Sequence, residues 1–331
     1  MEFWEISSIT AMHKNRDLVL GIDTSNYKTS VAVIGSEGKI LCDLRKLLKV
    51  KQGERGLRQS DALFQHIENM PYLLECALAG GQASRIAAVA YSQRPRPVEG
   101  SYMPVFKAGI SFGQAVATAL QVPSFGFSHQ EGHIEAIRAG SELPANRPFL
   151  CYHLSGGTCE LLLVNQDQIQ IIGGSKDISF GQVIDRAGVK LGMAFPAGEE
   201  MDRIAMKTQD SSQALKKIPY DGLFFNLSGL ETQWSRTAEN RIKAGEETDS
   251  LIRELFDKIL KALIQITEQA AKETSINSIM FTGGVSSSRY ISGKLKTHFE
   301  NSPLFIEFGD QSLSQDNAVG IALLGGRKLW R

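Results

Sequence analysis

Residues 127–137 read FSHQEGHIEAI, two histidines four positions apart behind a serine. Ser128 suits a helix N-cap, and Glu131, three residues on, completes a capping box. That spacing puts His129 and His133 on one helix face, with Cβ atoms about 6 Å apart. Two imidazoles so placed are able to share one metal ion. Spacing alone leaves a second reading open, a solvated helix face that carries two histidines. One protease chemistry is excluded. A zincin needs glutamate directly after the first histidine. Here that residue is Gln130, and Glu131 points about a hundred degrees further around the helix. Asp316, in SQDNAVGIALLGG, stands before an apolar Gly/Ala helix and is the candidate third ligand. A plain N-cap is the equal alternative there.

Three small-residue turns follow apolar strands: Asp23-Thr24-Ser25, Ser155-Gly156-Gly157-Thr158 and Thr282-Gly283-Gly284-Val285-Ser286. Residues without bulk let backbone N–H groups approach phosphate oxygens, and a helix start behind them adds a favourable dipole. One such turn says little, because glycine suits any turn. Three of them point to a nucleotide. Neither the P-loop pattern nor GxGxxG is present.

The elements that must position these residues come twice. Residues 18–41 and 149–172 both read as a strand–turn–strand–turn–strand meander. Each is followed later by helices and one more strand, 86–92 and 278–282. The repeat predicts two related α/β lobes, with a ligand cleft between them. Helical spacing predicts core-facing helices at 60–79, 104–121 and 250–273. Residues 207–249 are polar with little periodicity, which predicts an inserted helical or loop region on the surface.

The 331 residues are 42% hydrophobic, enough for two cores, and 36 basic residues balance 36 acidic ones. No global field then favours nucleic acid or membrane. An RNA partner would need a local patch, for which Lys39, Arg45, Lys46, Lys49, Lys51, Arg55 and Arg58 are candidates; a solvated face is the other reading. Cys42, Cys76, Cys151 and Cys159 form no CxxC pair, as expected of reduced cytoplasmic thiols. Residues 1–17 lack the apolar stretch of a secretion signal, and Met12 is an alternative start. No run suits a membrane span.

The two-lobed repeat with a phosphate turn in each lobe resembles the actin-like ATPase superfamily, in which the nucleotide lies between duplicated lobes. Seven segments resemble, in order, the TsaD/Gcp family of tRNA threonylcarbamoyladenosine transferases, once labelled O-sialoglycoprotein endopeptidases. DTSCDET is similar to Asp23 through Thr29, and HMEGH to His129 through His133. VSGGHTQL is similar to Leu154 through Leu161. GEAFDK with YPGG is similar to Gly181 through Arg186 with Phe195 through Gly198. FSGLKT is similar to Leu227 through Thr232, GGVAAN to Gly283 through Ser288, and TDNAAMIA to Gln315 through Ala322.

That resemblance implies one divalent metal, iron or zinc, on His129, His133 and Asp316. It implies ATP or threonylcarbamoyl-adenylate on Thr24, Ser25, Leu154, Ser155, Gly156, Gly157, Thr158, Asp185, Gly198, Gly283, Gly284 and Ser288, with Asp185 also the catalytic candidate. The implied reaction moves a threonylcarbamoyl group to adenosine in the anticodon loop of tRNA, with companion proteins and without a membrane. The implied layout is a leader at 1–17, an N-terminal lobe of 18–146 plus 314–331, and a C-terminal lobe of 147–313 with a helical insertion near 199–249. Some residues depart from the pattern. GPGLxGSL becomes Arg94-Pro95-Arg96-Pro97-Val98-Glu99-Gly100-Ser101, a stiffer and more charged loop. The SGGHT histidine is Thr158, the GEAFDK glutamate is Gln182 and the final GGVAAN asparagine is Ser288. The acidic pair of DTSCDET is Tyr27-Lys28, so Lys28 is expected to reach a phosphate as a point charge. The altered 92–101 loop leaves room for a paralogue that carbamoylates a non-tRNA acceptor. A catalytically silent scaffold is a third reading, which the His129–His133–Asp316 set argues against.

Overall fold

Strand Leu18–Thr24 (β1) is buried along its whole length, which marks a central strand covered on both faces. It belongs to a computed structural model that describes residues 16–25, 27–49, 57–143, 147–165, 168–309, 312–313 and 316–330. Most of the expected leader, together with Asn26, Lys51 and Arg55, lies outside the described residues. Contacts divide the described chain into two units, one up to Gly140 and again from Asp316, the other from Ser141 to Leu313.

In the first unit β1 pairs antiparallel with Lys28–Gly35 (β2), which pairs with Ile40–Leu47 (β3). Helix Gln59–Leu78 (α1) sets Met70, Leu73 and Ala77 against the β1–β2 face. Strand Ile86–Arg94 (β4) runs parallel to β1, and helix Phe106–Leu120 (α2) leads to Ser124–Ser128 (β5), parallel to β4. The sheet order is β3-β2-β1-β4-β5. Helix His129–Ala139 (α3) follows β5 without a loop.

The second unit repeats the plan. Phe149–Leu154 (β6), Cys159–Asn165 (β7) and Gln168–Ser175 (β8) form an antiparallel meander. After helices Phe180–Lys190 (α4) and Gly198–Lys207 (α5) come short strands Tyr220–Asp221 (β9) and Phe224–Phe225 (β10). Helices Ser228–Ala244 (α6) and Asp249–Thr274 (α7) lead to Ser278–Thr282 (β11), which is parallel to β6 as β4 is to β1. Helix Arg289–Phe299 (α8) and strand Phe305–Phe308 (β12) complete the order β12-β11-β6-β7-β8-β10-β9.

Residues 207–249 are not a surface insertion. Leu215, Ile218, Leu223, Phe225, Leu227, Leu230 and Trp234 are all core residues. Trp234 is 1% exposed and donates its indole N–H to the Leu251 carbonyl. The Glu254 carboxylate organises the stretch before α6 by accepting the Ala214 and Leu215 N–H groups at 2.8 and 2.9 Å. Asp177 does the same at the start of α6, accepting from Leu227 and Ser228 at 2.8 and 2.9 Å. Carboxylates, Glu254 buried and Asp177 exposed, thus satisfy the backbone where the sequence lacks hydrophobic periodicity.

The last helix, Val319–Trp330 (α9), belongs to the first unit and packs on β1, β4 and α3. Small residues make the approach possible. A Cβ on Gly21 would sit 2.5 Å from the Ala318 carbonyl oxygen, and one on Gly325 2.7 Å from the Ala90 Cβ.

Candidate metal centre

The expected capping box forms. Ser128 Oγ accepts the Glu131 N–H at 3.2 Å, and Glu131 Oε2 accepts the Ser128 N–H at 2.6 Å. The Gln130 N–H, another end group of α3, donates to the Pro95 carbonyl at 3.1 Å. The helix start is therefore fixed, and with it the imidazoles. His129 Nε2 lies 2.9 Å from His133 Nε2. Asp316 Oδ1 lies 3.2 Å from His133 Nε2 and 3.5 Å from His129 Nε2.

Asp316 reaches this position because it does not cap α9. Asn317 does, its Oδ1 accepting from Val319 N and Gly320 N at 3.0 and 3.4 Å. The helix contact brings the ligands together. A Cβ on Gly320 would stand 2.7 Å from the Gly132 carbonyl carbon and 2.8 Å from the Ala136 nitrogen. The Glu135 carboxylate, 4% exposed, ties the same two helices by accepting from Arg327 of α9 at 2.5 Å and from Arg138 at 3.3 Å.

Asp23, 106 residues away in sequence, is a further partner of the histidines. Its Oδ1 lies 2.9 Å from His129 Nδ1. A carboxylate only accepts, so Nδ1 carries the proton and Nε2 faces His133 and Asp316. Burial opposes charge on His129, yet Asp23 and Asp316 push it up to about 10. The Asp316 carboxyl is held well below its ordinary range: burial works against its charge, and the two imidazoles outweigh that. The signal for Asp23 was available as an acid at the end of a wholly apolar strand.

These donors fit a divalent ion. Two Nε2 lone pairs 2.9 Å apart repel unless a cation or proton lies between them. Metal bonds of about 2.1 Å place neighbouring ligand atoms about 3.0 to 3.4 Å apart, and the three donor atoms lie 2.9 to 3.5 Å apart. Asp23 supplies the carboxylate–histidine support that metal-bound imidazoles use.

The first turn is held differently from what its residue types suggest. Thr24 Oγ1 donates to the Val105 carbonyl at 3.0 Å and accepts from Gly109 N at 3.1 Å, which fixes the start of α2. Ser25 is held through its carbonyl, 2.8 Å from Nε2 of fully buried His66. A carbonyl only accepts, so His66 is protonated on Nε2. Its Nδ1 then accepts from Thr29 Oγ1 at 2.9 Å, and Thr29 Oγ1 in turn accepts from Asn69 at 3.1 Å. Burial holds the His66 imidazole below its ordinary range, against the Ser25 bond and two aspartates. As pH falls below about 6.5, the unfolded chain takes up a proton that folded His66 resists, so stability drops with pH. Thermal unfolding between pH 7 and 5.5 should therefore fall more steeply for wild type than for His66→Gln. Equal slopes would remove His66 as the cause.

In the second unit, Ser155 Oγ accepts from Gly157 N and Thr158 N at 3.3 and 3.0 Å, so the turn binds its own N–H groups. Gly156 and Gly157 face open space. Helix α4 presses against this turn. A Cβ on Gly181 would lie 2.6 Å from the Ser155 carbonyl oxygen, and Ser179 Oγ donates to the Gly156 carbonyl at 2.7 Å. Gly283 has φ +95° and backs onto Leu154, where a Cβ would lie 2.6 Å from the carbonyl carbon; Gly284 is open. Ser288 caps α8, accepting from Ile291 N at 3.1 Å, and donates to Asp202. Asp185 Oδ1 accepts from Ala197 N at 2.9 Å, just ahead of Gly198. Burial lifts its carboxyl above the ordinary range, against the Ala197 and Gly198 N–H groups. Leu154, the Ser155–Thr158 turn, Gly283 and Gly284 therefore form one neighbourhood at the ends of β6 and β11. Lys28 starts β2, where burial lowers its pKa and the Asp316 charge raises it.

Known proteins resemble this chain in sequence and in fold. Residues 48–323 match the family model of tRNA N6-adenosine threonylcarbamoyltransferase, TsaD. The relative of that name from Neorickettsia sennetsu is 28% identical over 312 residues, 93% of this chain and 92% of its own. The one from Halalkalibacterium halodurans is 29% identical over 314 residues, 92% of this chain and 89% of its own. Among solved structures, full-length HypF in its phosphate- and nucleotide-bound form aligns with a TM-score of 0.62 at 13% identity. That alignment covers 96% of this chain and 56% of HypF. Component A of Acidaminococcus fermentans (R)-2-hydroxyglutaryl-CoA dehydratase aligns at 0.56 and 14% identity, covering 95% of this chain and 100% of its own. A Streptomyces griseus ROK-family glucokinase aligns at 0.51 and 13%, covering 94% and 99%. These likenesses show the fold, the duplicated actin-like ATPase architecture. Among the described residues no helix is long and apolar enough to cross a membrane.

Proposed function

We infer what this chain does from one premise: it belongs to the family of tRNA N6-adenosine threonylcarbamoyltransferases. It is therefore an enzyme, and its reaction is a tRNA modification. The finer reading is that a threonylcarbamoyl group passes from threonylcarbamoyl-adenylate to the N6 amine of an anticodon-loop adenosine. The amine attacks the carbamoyl carbon, the bond from that carbon to the phosphate oxygen breaks, AMP departs and the amine loses a proton. A companion protein that supplies the adenylate and a cytoplasmic setting belong to the same reading.

One observation carries it. His129, His133 and Asp316 turn three donor atoms to a common point, all within 4.8 Å of one another, and Asp23 fixes the tautomer behind them. Iron or zinc bound there would supply a Lewis acid for carbamoyl or phosphate oxygens. Asp23 orients His129, and Asn317 leaves Asp316 free for this task. Lys28 is proposed to meet a phosphate oxygen as a point charge. In the second unit Leu154, Ser155–Thr158, Asp185, Gly198, Gly283, Gly284 and Ser288 are proposed to hold ATP or the adenylate. Asp185 is proposed there for acid–base work, because a carboxyl with a raised pKa is better matched to neutral pH.

The test is transfer from synthetic adenylate to an ANN-decoding tRNA, read by nucleoside mass spectrometry. Wild type should modify the tRNA and leave untouched the same tRNA carrying inosine, which lacks the N6 amine. Equal labelling of both, or none, would sink the reading. In parallel, Lys28→Ala should weaken ATP binding about tenfold, as expected for loss of one charge-assisted contact. Unchanged affinity would remove Lys28 from the site.

A further inference from the structure

Arg94 is the last residue of β4, and it stands in sheet register with Ser128, the residue before His129. The next residue, Pro95, gives its carbonyl to the first turn of the helix that carries both histidines. Beyond it the loop closes on itself, Arg96 N donating to Ser101 Oγ at 3.0 Å. The Arg94 backbone is thus anchored to the metal-bearing helix on both sides. Its side chain is half-buried, and its Nε is sheltered from solvent without a hydrogen-bond partner among the described residues. A sheltered guanidinium N–H left unmatched calls for an explanation.

The carboxylates on β1 and α3, and the one ahead of α9, are committed elsewhere. Asp23 and Asp316 serve the histidines, Glu131 closes the capping box, and Glu135 holds Arg138 and Arg327. Among the described residues Arg94 Nε is left unmatched, and a ligand is able to supply the match. A guanidinium fork suits a planar carboxylate best. We propose that Arg94 is a specificity-determining residue that binds the free carboxylate of the acyl group being transferred. This rests on the function proposed above: once threonine's amine is part of the carbamoyl group, its carboxylate is the one anionic feature of that acyl group. A small ligand fits a half-buried guanidinium. An RNA backbone would instead select an exposed head such as Arg96.

The experiment is equilibrium binding to full-length wild type, Arg94→Ala and Arg94→Lys. Two probes are used: a hydrolysis-resistant sulfamate analogue of threonylcarbamoyl-adenylate, and the same molecule without the threonine carboxylate. Wild type should prefer the carboxylate form by roughly ten- to a hundredfold. Arg94→Ala should bind both alike, and Arg94→Lys should recover part of the preference. Metal content and unfolding temperature should not change. Equal preference in wild type and Arg94→Ala overturns the inference. So does a loss in Arg94→Ala that falls on both probes alike, which would point to a phosphate contact. If wild type transfers to tRNA yet shows no preference, only this inference falls. If wild type neither binds the probes nor transfers, both fall.

Discussion

Gly320→Ala is expected to destabilise the first unit by about 3 kcal/mol or more and to remove its metal centre in the same step. The added methyl meets backbone, the Gly132 carbonyl and the Ala136 nitrogen, which has no rotamer to yield. Relief requires α9 to move away from α3. Asp316 precedes α9, while His129 and His133 ride on α3, so any such movement stretches the 3.2 Å separation of Asp316 from His133. The unfolding transition of this unit should fall by about 10 °C. Gly293→Ala is the control. That glycine lies inside α8 with nothing within 4 Å of its Cβ position, so alanine there should stabilise by about 0.5–1 kcal/mol. A Gly320→Ala protein that keeps wild-type melting and metal content would refute the claim that this helix contact assembles the centre.

What could be read from the sequence follows from how local each signal is. The capping box and the i,i+4 histidines are local, and they stand as expected. The two meanders and the strands behind them are also local patterns, and both sheets contain them. Asp316 was harder, because aspartate and asparagine cap helices equally well and Asp316-Asn317 offers one of each. Only the side-chain bonds of Asn317 to Val319 N and Gly320 N show that it takes the cap and releases Asp316. Asp23 and His66 act across 106 and 41 residues of sequence, beyond any periodicity. The stretch 207–249 misled because its core contacts come from a few large apolar residues, while Glu254 and Asp177 satisfy its backbone in place of a regular pattern. The hydroxyl of Thr24 is similarly occupied by α2. Residue type suggested phosphate there, and packing supplies another use.

His129→Ala/His133→Ala should reduce metal content from about one ion per chain to none, with transfer falling at least a thousandfold. Two of three protein donors are lost, and Asp316 alone is a weak site for iron or zinc. Asp23→Asn separates ligation from support. It keeps size and a hydrogen-bond acceptor while removing the charge beside His129, so affinity should drop about 10- to 100-fold, with metal still bound at saturation. The measurement is plasma mass spectrometry on anaerobically purified proteins, with titration of the stripped forms. A graded series, with wild type above Asp23→Asn and both above the double variant, assigns the histidines as ligands and Asp23 as the group that orients one of them. Equal and negligible metal in all three would mean that the space between the imidazoles is held by a proton. His129 and Asp316 would then be an ion pair that joins α3 to the start of α9, a structural tie in place of a metal centre.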